Sequence, residues 1–134
     1  MQLDEPRFNS QMTDRANRRL QDLCATQPAV ILAVLTSDDG FEIAAYRGGE
    51  NSGRVAAMSS SLQALSEALV REAGIGAGCS VILEAQEGAI AVVRLACSAP
   101  RASLSIVASS GETLGRLLWV ARNCCQLLEQ DLQQ

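Results

Sequence analysis

Apolar residues recur every three or four positions from Ser10 to Thr26, at Met12, Ala16, Leu20 and Leu23, with Asp14, Arg15, Arg18 and Gln21 around the rest of the turn. That period predicts an amphipathic helix. Pro28 cannot continue it. The run Ala29 to Ser37, AVILAVLTS, is apolar on both faces, as a strand covered on both sides must be, and is expected in the interior of a sheet. Asp38, Asp39 and Gly40 tolerate positive φ and predict a tight hairpin, so that Phe41 to Arg47 returns antiparallel.

After the turn-rich stretch Gly48 to Ser52, the residues Val55, Met58, Leu62, Leu65, Leu69 and Ala73 step by three and four, which predicts a long second helix from Ser52 to Ala73. Small residues, Ala57, Ser60, Ser61, Ala64 and Ala68, gather on the side taken to oppose that stripe, where another helix can approach closely, so the helix is expected to be sandwiched. Gly74, Gly76 and Gly78 stop it. Cys79 to Ala85, Ala89 to Ala96 and Ala102 to Ser109 then read as three strands, separated by turns at Gln86-Glu87-Gly88 and Ser98 to Arg101. In the last of them Leu104, Ile106 and Ala108 share one face, and Ser103, Ser105 and Val107 the other. Ser110 reads as the N-cap of a closing helix whose stripe is Leu114, Leu117, Leu118, Ala121, Cys124, Cys125 and Leu128. The order α-β-β-α-β-β-β-α with short connections describes an α+β fold in which most neighbouring strands are antiparallel. One domain over residues 1–134 is expected, with 1–9 flexible.

Composition narrows the chemistry. The 134 residues are 48% hydrophobic, enough to bury a core without disulfides or metal. The net charge of −4 offers no broad positive field for nucleic acid or an anionic membrane. With no histidine, imidazole acid/base catalysis is excluded, and with no lysine among the eleven basic residues the serines Ser59, Ser60 and Ser61 lack the usual activating bases. Cys24, Cys79, Cys97, Cys124 and Cys125 show no CxxC spacing and read as small buried hydrophobes in a reducing compartment. The first ten residues lack a basic stretch followed by an apolar run, and the longest apolar stretch, Ala29 to Leu35, is far short of the ~20 residues of a membrane-spanning helix. A cytoplasmic protein without membrane insertion, catalytic residues, cofactor or metal is expected.

Gly74-Ile75-Gly76-Ala77-Gly78 follows a helix and precedes a strand, the reverse of a phosphate-binding loop, and Ser109-Ser110-Gly111-Glu112-Thr113 lacks the Lys of one. Both read as turns. Trp119 falls about 140° around the helix from Leu114. It packs against the first helix or a loop, the commoner outcome, or it anchors a partner. Arg15, Arg18 and Arg19 form a positive cluster expected to be solvated, and Arg47 and Arg54 flank the loop before the second helix.

The strand AVILAVLTS, the hairpin DDGFEIAAY, the helix VAAMSSSLQALSEALVREAG, the hairpin CSVILEAQEGAIAVVRLA and the closing LSIVASSGETLGRLLWVARNCCQLL together resemble the roadblock/dynein light-chain family, whose members include bacterial regulators of a gliding-motility GTPase. The resemblance spans about Ala29 to Leu128 and lies in element order, not in a catalytic signature. It implies a profilin-like, five-stranded antiparallel sheet with the second helix on one face and the first and third on the other. It also implies a homodimer joined through the third strand and second helix, here Ser80, Val81, Ile82, Leu83, Glu84 and Ala57, Ser61, Ala64, Ala68. By the same resemblance the dimer would regulate or anchor a small Ras-like GTPase, as an activating partner that remodels the GTPase and does not contribute a fixed set of catalytic side chains; Arg47, Arg54 and Trp119, singled out above from their positions, are the candidate contacts. A purely structural dimeric scaffold and a small-ligand sensor with a pocket between sheet and helix are the alternatives; few polar anchors among the predicted core residues weigh against the last.

Overall fold

The structure is a computed structural model and describes residues 8–78, 80–96 and 101–133. The expected turn at Ser98 to Arg101 falls mostly outside them, as do Cys79, Cys97 and residues 1–7 of the stretch expected to be flexible. Phe8 packs against the core, and Asn9 caps the first helix, α1 (Ser10–Cys24), its side-chain oxygen accepting the Met12 N–H at 2.9 Å. The chain continues through β1 (Val30–Ser37), β2 (Glu42–Tyr46), α2 (Glu50–Ala73), β3 (Ser80–Ala85), β4 (Gly88–Arg94), β5 (Ala102–Ser109) and α3 (Leu114–Leu132).

The strands form one sheet in the order β2-β1-β5-β4-β3, every pairing antiparallel. β1 is interior, as its two-sided apolar sequence requires, and β5 takes the centre. At the β1–β2 hairpin Gly40 holds φ 91°, and the Ser37 N–H donates to the Phe41 carbonyl at 2.9 Å. The β3–β4 hairpin turns in two residues, Gln86 and Glu87, before Gly88 pairs with Ala85.

The two faces of the sheet differ in chemistry. On one, α1 and α3 cover Ala33, Leu35, Leu104, Ile106 and Ala108 with Leu20, Cys24, Leu117, Cys124 and Leu128, a core of large apolar side chains. Arg19 clasps α1 to the end of α3 through two bonds to the Asp131 carboxylate at 2.6 and 2.8 Å, so the arginine cluster expected to be solvated is partly engaged. On the other face α2 lies over Val34, Thr36, Val92, Ser103 and Ser105, and it presents Ser52, Ala56, Ser59 and Gln63 to them. This corrects the expected seating of α2. The helix expected to be sandwiched is covered on one side by the sheet, and Met58, Leu65 and Leu69 of its apolar stripe point to solvent, because a sheet surface with serine and threonine at its centre leaves room for a close-lying helix of small residues and not for a row of leucines.

α2 starts at Glu50, two residues earlier than its periodicity indicates, because the Ser52 hydroxyl accepts the Gly49 N–H at 3.1 Å and donates to the Glu42 carboxylate. Its end falls where the glycines place it, Gly74 adopting φ 71°. The cap of α3 is Thr113, not Ser110: the Thr113 hydroxyl accepts the Arg116 N–H at 3.1 Å, and Ser110 belongs to the preceding turn.

Candidate functional surface

The outward half of α2 carries two sets of residues side by side. Met58, Leu65 and Leu69 are 71%, 69% and 68% exposed, and Ala57, Ser61, Ala64 and Ala68 are exposed beside them. The small residues therefore flank the apolar stripe, where opposite placement was expected. With half-buried Val55 and Leu62, the apolar positions 55, 58, 62, 65 and 69 alternate in steps of three and four, the seam along which one helix packs against another. Scattered exposed apolar residues are ordinary, but a continuous row along one helix marks an interaction surface.

The sheet edges flanking this face are unlike one another. β2 is an edge by position, yet the Ala45 N–H donates to the Asn17 side chain of α1 at 3.0 Å, which blocks that edge to a further strand. β3, the other edge, pairs only with β4. Ser80, Val81 and Ile82 are half-buried and Leu83 and Glu84 exposed. Ile82 packs toward the α1/α3 core, so by strand alternation Val81 and Leu83 face the α2 side. Of the third-strand positions named from the resemblance, Val81 and Leu83 thus share the α2 side with Ala57, Ser61, Ala64 and Ala68, whereas Ser80, Ile82 and Glu84 alternate to the α1/α3 side.

The three residues read as partner contacts do not fall together. Arg54 sits on the exposed first turns of α2. Arg47 lies at the β2–α2 junction with φ 58°, the one non-glycine in the left-handed region among the described residues, its guanidinium 5.2 Å from the centre of the Tyr46 ring. Trp119 is on α3, across the sheet. It is 57% exposed, so the packing reading is corrected, and Arg116 stacks 5.6 Å from its ring centre. Sequence reasoning missed the Asn17 cap on β2, for which no local signal exists, and the solvent orientation of Met58, Leu65 and Leu69, whose seam spacing was the available sign.

Cys24 and Cys124 meet between α1 and α3 in the core. Their mutual hydrogen bond, with burial, pushes the Cys124 thiol far above its ordinary value, so it stays protonated and unreactive. Among the described residues no three His, Cys, Asp or Glu side chains gather as a metal site, and no helix is long and apolar enough to cross a membrane.

A five-stranded antiparallel sheet with α2 alone on one face and α1 and α3 on the other is the roadblock/LC7 fold. The chain is similar to the gliding protein MglB of Thermus thermophilus, with 15% identity, a TM-score of 0.77 and coverage of 99% of this chain and 98% of that one. It is also similar to Myxococcus xanthus MglB, with 14% identity, a TM-score of 0.76 and coverage of 95% and 93%. A Roadblock/LC7 domain from Streptomyces avermitilis is 18% identical over 88% of this chain and 98% of that chain, with a TM-score of 0.76. No protein-family model matches the chain, and no curated protein matches it in sequence.

Proposed function

We propose that this chain is a homodimeric interaction module that regulates or anchors a small Ras-like GTPase. The observation that carries the reading is the exposed apolar seam of α2 on the same side of the molecule as the unblocked edge of β3. Burying Met58, Leu65 and Leu69 from both protomers would contribute roughly 10 kcal/mol, against an association cost of about 4–15 kcal/mol. The seam alone therefore roughly breaks even. Main-chain bonds along β3, at about 1 kcal/mol each, supply the surplus, so both elements are needed for a stable dimer. The small residues Ala57, Ser61, Ala64 and Ala68 let the paired helices approach closely.

The GTPase comes into the proposal from the family resemblance and from likeness in fold to MglB. Arg54 on the first turns of α2 and Arg47 at the β2–α2 junction lie at the start of the seam, where a guanidinium of the dimer can reach a nucleotide phosphate. Trp119 lies on the opposite face and serves a different contact. The test is GTP hydrolysis by the partner GTPase with the wild-type chain and with the Arg47→Ala/Arg54→Ala double variant. We expect the wild type to raise the rate. A rise lost in the variant by about a hundredfold or more assigns an arginine to the transition state, and a rise kept assigns the effect to remodelling of the GTPase. No binding or rate change in any case would leave a dimeric scaffold.

A further inference from the structure

The outer ridge of α3, across the sheet from α2, carries an open notch of about 350 Å³ lined by Gly115, Leu118, Trp119, Arg122, Asn123 and Gln126. These positions follow one another at the three- and four-residue steps that put side chains on one side of a helix. Gly115 leaves the notch open. Half-buried Leu118 stands on one flank of it and Trp119, 57% exposed, on the other. A glycine in a helix loses more backbone freedom on folding than alanine would, and nothing lies within 4 Å of a Cβ built on Gly115. No packing contact of the fold therefore requires glycine there.

The charge around the notch is of one sign. Arg116 stacks 5.6 Å from the centre of the Trp119 ring and donates to the neutral Gln27 Oε1 at 3.3 Å. Arg122 reaches the Ser80 hydroxyl at 3.5 Å. Neither arginine joins an ion pair among the described residues, whereas Arg19, Arg94 and Arg101 each do. None of the residues lining the notch is acidic. In a chain of net charge −4, an exposed tryptophan is thus flanked by two guanidinium groups that no carboxylate balances. Tryptophan and arginine are the side chains that most often anchor an interface, and uncompensated charge selects a partner of the opposite sign.

We infer that this notch is a docking site for an acidic peptide segment of a partner protein. One large apolar side chain enters over Gly115 between Leu118 and Trp119, and carboxylates before and after it take Arg116 and Arg122. Six residues of helix separate the two arginines by about 9 Å along the axis, the span of about three residues of extended chain. Carboxylates one or two positions to either side of the apolar residue therefore reach both. A second copy docking by the same face would set the arginines against like charge. Two arginines form no track for the successive phosphates of a nucleic acid, and the net charge opposes an anionic membrane. The ridge lies across the sheet from the α2 seam, so the proposal does not rest on the dimer.

Trp119 is the single tryptophan of the chain, so intrinsic fluorescence reads this surface directly. The probe is the peptide GEELEEG, blocked at both ends, with GQQLQQG and GEEGEEG as controls. We expect GEELEEG to shift the emission to the blue with a dissociation constant of about 1 mM or tighter, and both controls to bind at least about tenfold more weakly. Gly115→Leu, which fills the notch with a good helix former, and Arg122→Glu, which reverses an exposed charge, should each weaken binding by about tenfold or more while circular dichroism stays that of the wild type. Equal binding of GQQLQQG would make the contact apolar only, and equal binding of GEEGEEG would make it charge only. Either result overturns the assignment, as does an emission unmoved by the peptide at about 1 mM or a shift indifferent to both variants. A shift produced by adenosine monophosphate or by phosphatidylserine vesicles and not by GEELEEG would overturn it in favour of that ligand.

Discussion

A Cβ placed on Gly88 would sit 2.2 Å from the Ala108 carbonyl oxygen, a backbone atom that cannot rotate away. Gly88→Ala must therefore push β4 from β5 at the start of their ladder, and we expect a loss of about 1–3 kcal/mol in urea unfolding. The Cys24–Cys124 contact makes a pH-dependent demand. Below the ordinary thiol pKa of about 8.5 both folded and unfolded chains hold the Cys124 proton, and the stability is fully present. Above it the unfolded chain ionises while the folded thiol, held up by the Cys24 hydrogen bond and by burial, does not. Stability should thus fall by up to about 1.4 kcal/mol per pH unit beyond that point. Unfolding free energies measured at rising alkaline pH check this, and Cys124→Ala should flatten the slope.

At the scale of elements, the two helical layers are held by different forces. Leu128 of α3 is fully buried in the apolar core, and truncation to Ala should cost about 2–5 kcal/mol. Leu65 of α2 is as apolar, yet Leu65→Ala should change the unfolding free energy of the monomer, measured at high dilution, by no more than about 0.5 kcal/mol, because its side chain meets solvent. A large cost for Leu65→Ala under those conditions would mean that α2 is seated the other way round. The same contrast explains what was legible in the sequence. The alternation of β5, with Leu104, Ile106 and Ala108 opposite Ser103 and Ser105, assigned its two faces correctly because strand period alone decides sidedness. The glycines after Ala73 likewise marked the end of α2, since φ 71° at Gly74 is a local requirement. For α2 the period gave the helix but not which stripe faces inward. That depends on Thr36, Ser103 and Ser105, which come from distant strands and make the surface beneath it polar.

For the whole molecule, the Asn17 bond to β2 leaves β3 as the sheet edge open to a further strand among the described residues, and the exposed α2 seam lies on the same side. A sheet edge left unpaired beside exposed apolar residues invites association, and a second copy with the same two elements satisfies both at once. Of the positions named from the resemblance, Ala57, Ser61, Ala64, Ala68, Val81 and Leu83 lie on that side, and the exposed Met58, Leu65 and Leu69 beside them carry the apolar seam.

The most direct measurement is the mass in solution by light scattering, for the wild type, Leu65→Glu and Val81→Lys, with circular dichroism to establish folding. Leu65→Glu places a charge on the exposed seam without touching the core, and Val81→Lys places one on the α2 side of the edge strand. We expect a wild-type mass of twice the 14.2 kDa chain, and folded monomers for both variants. A wild type that stays monomeric at concentrations of about 100 μM, or variants that remain dimeric, would contradict association through α2 and β3.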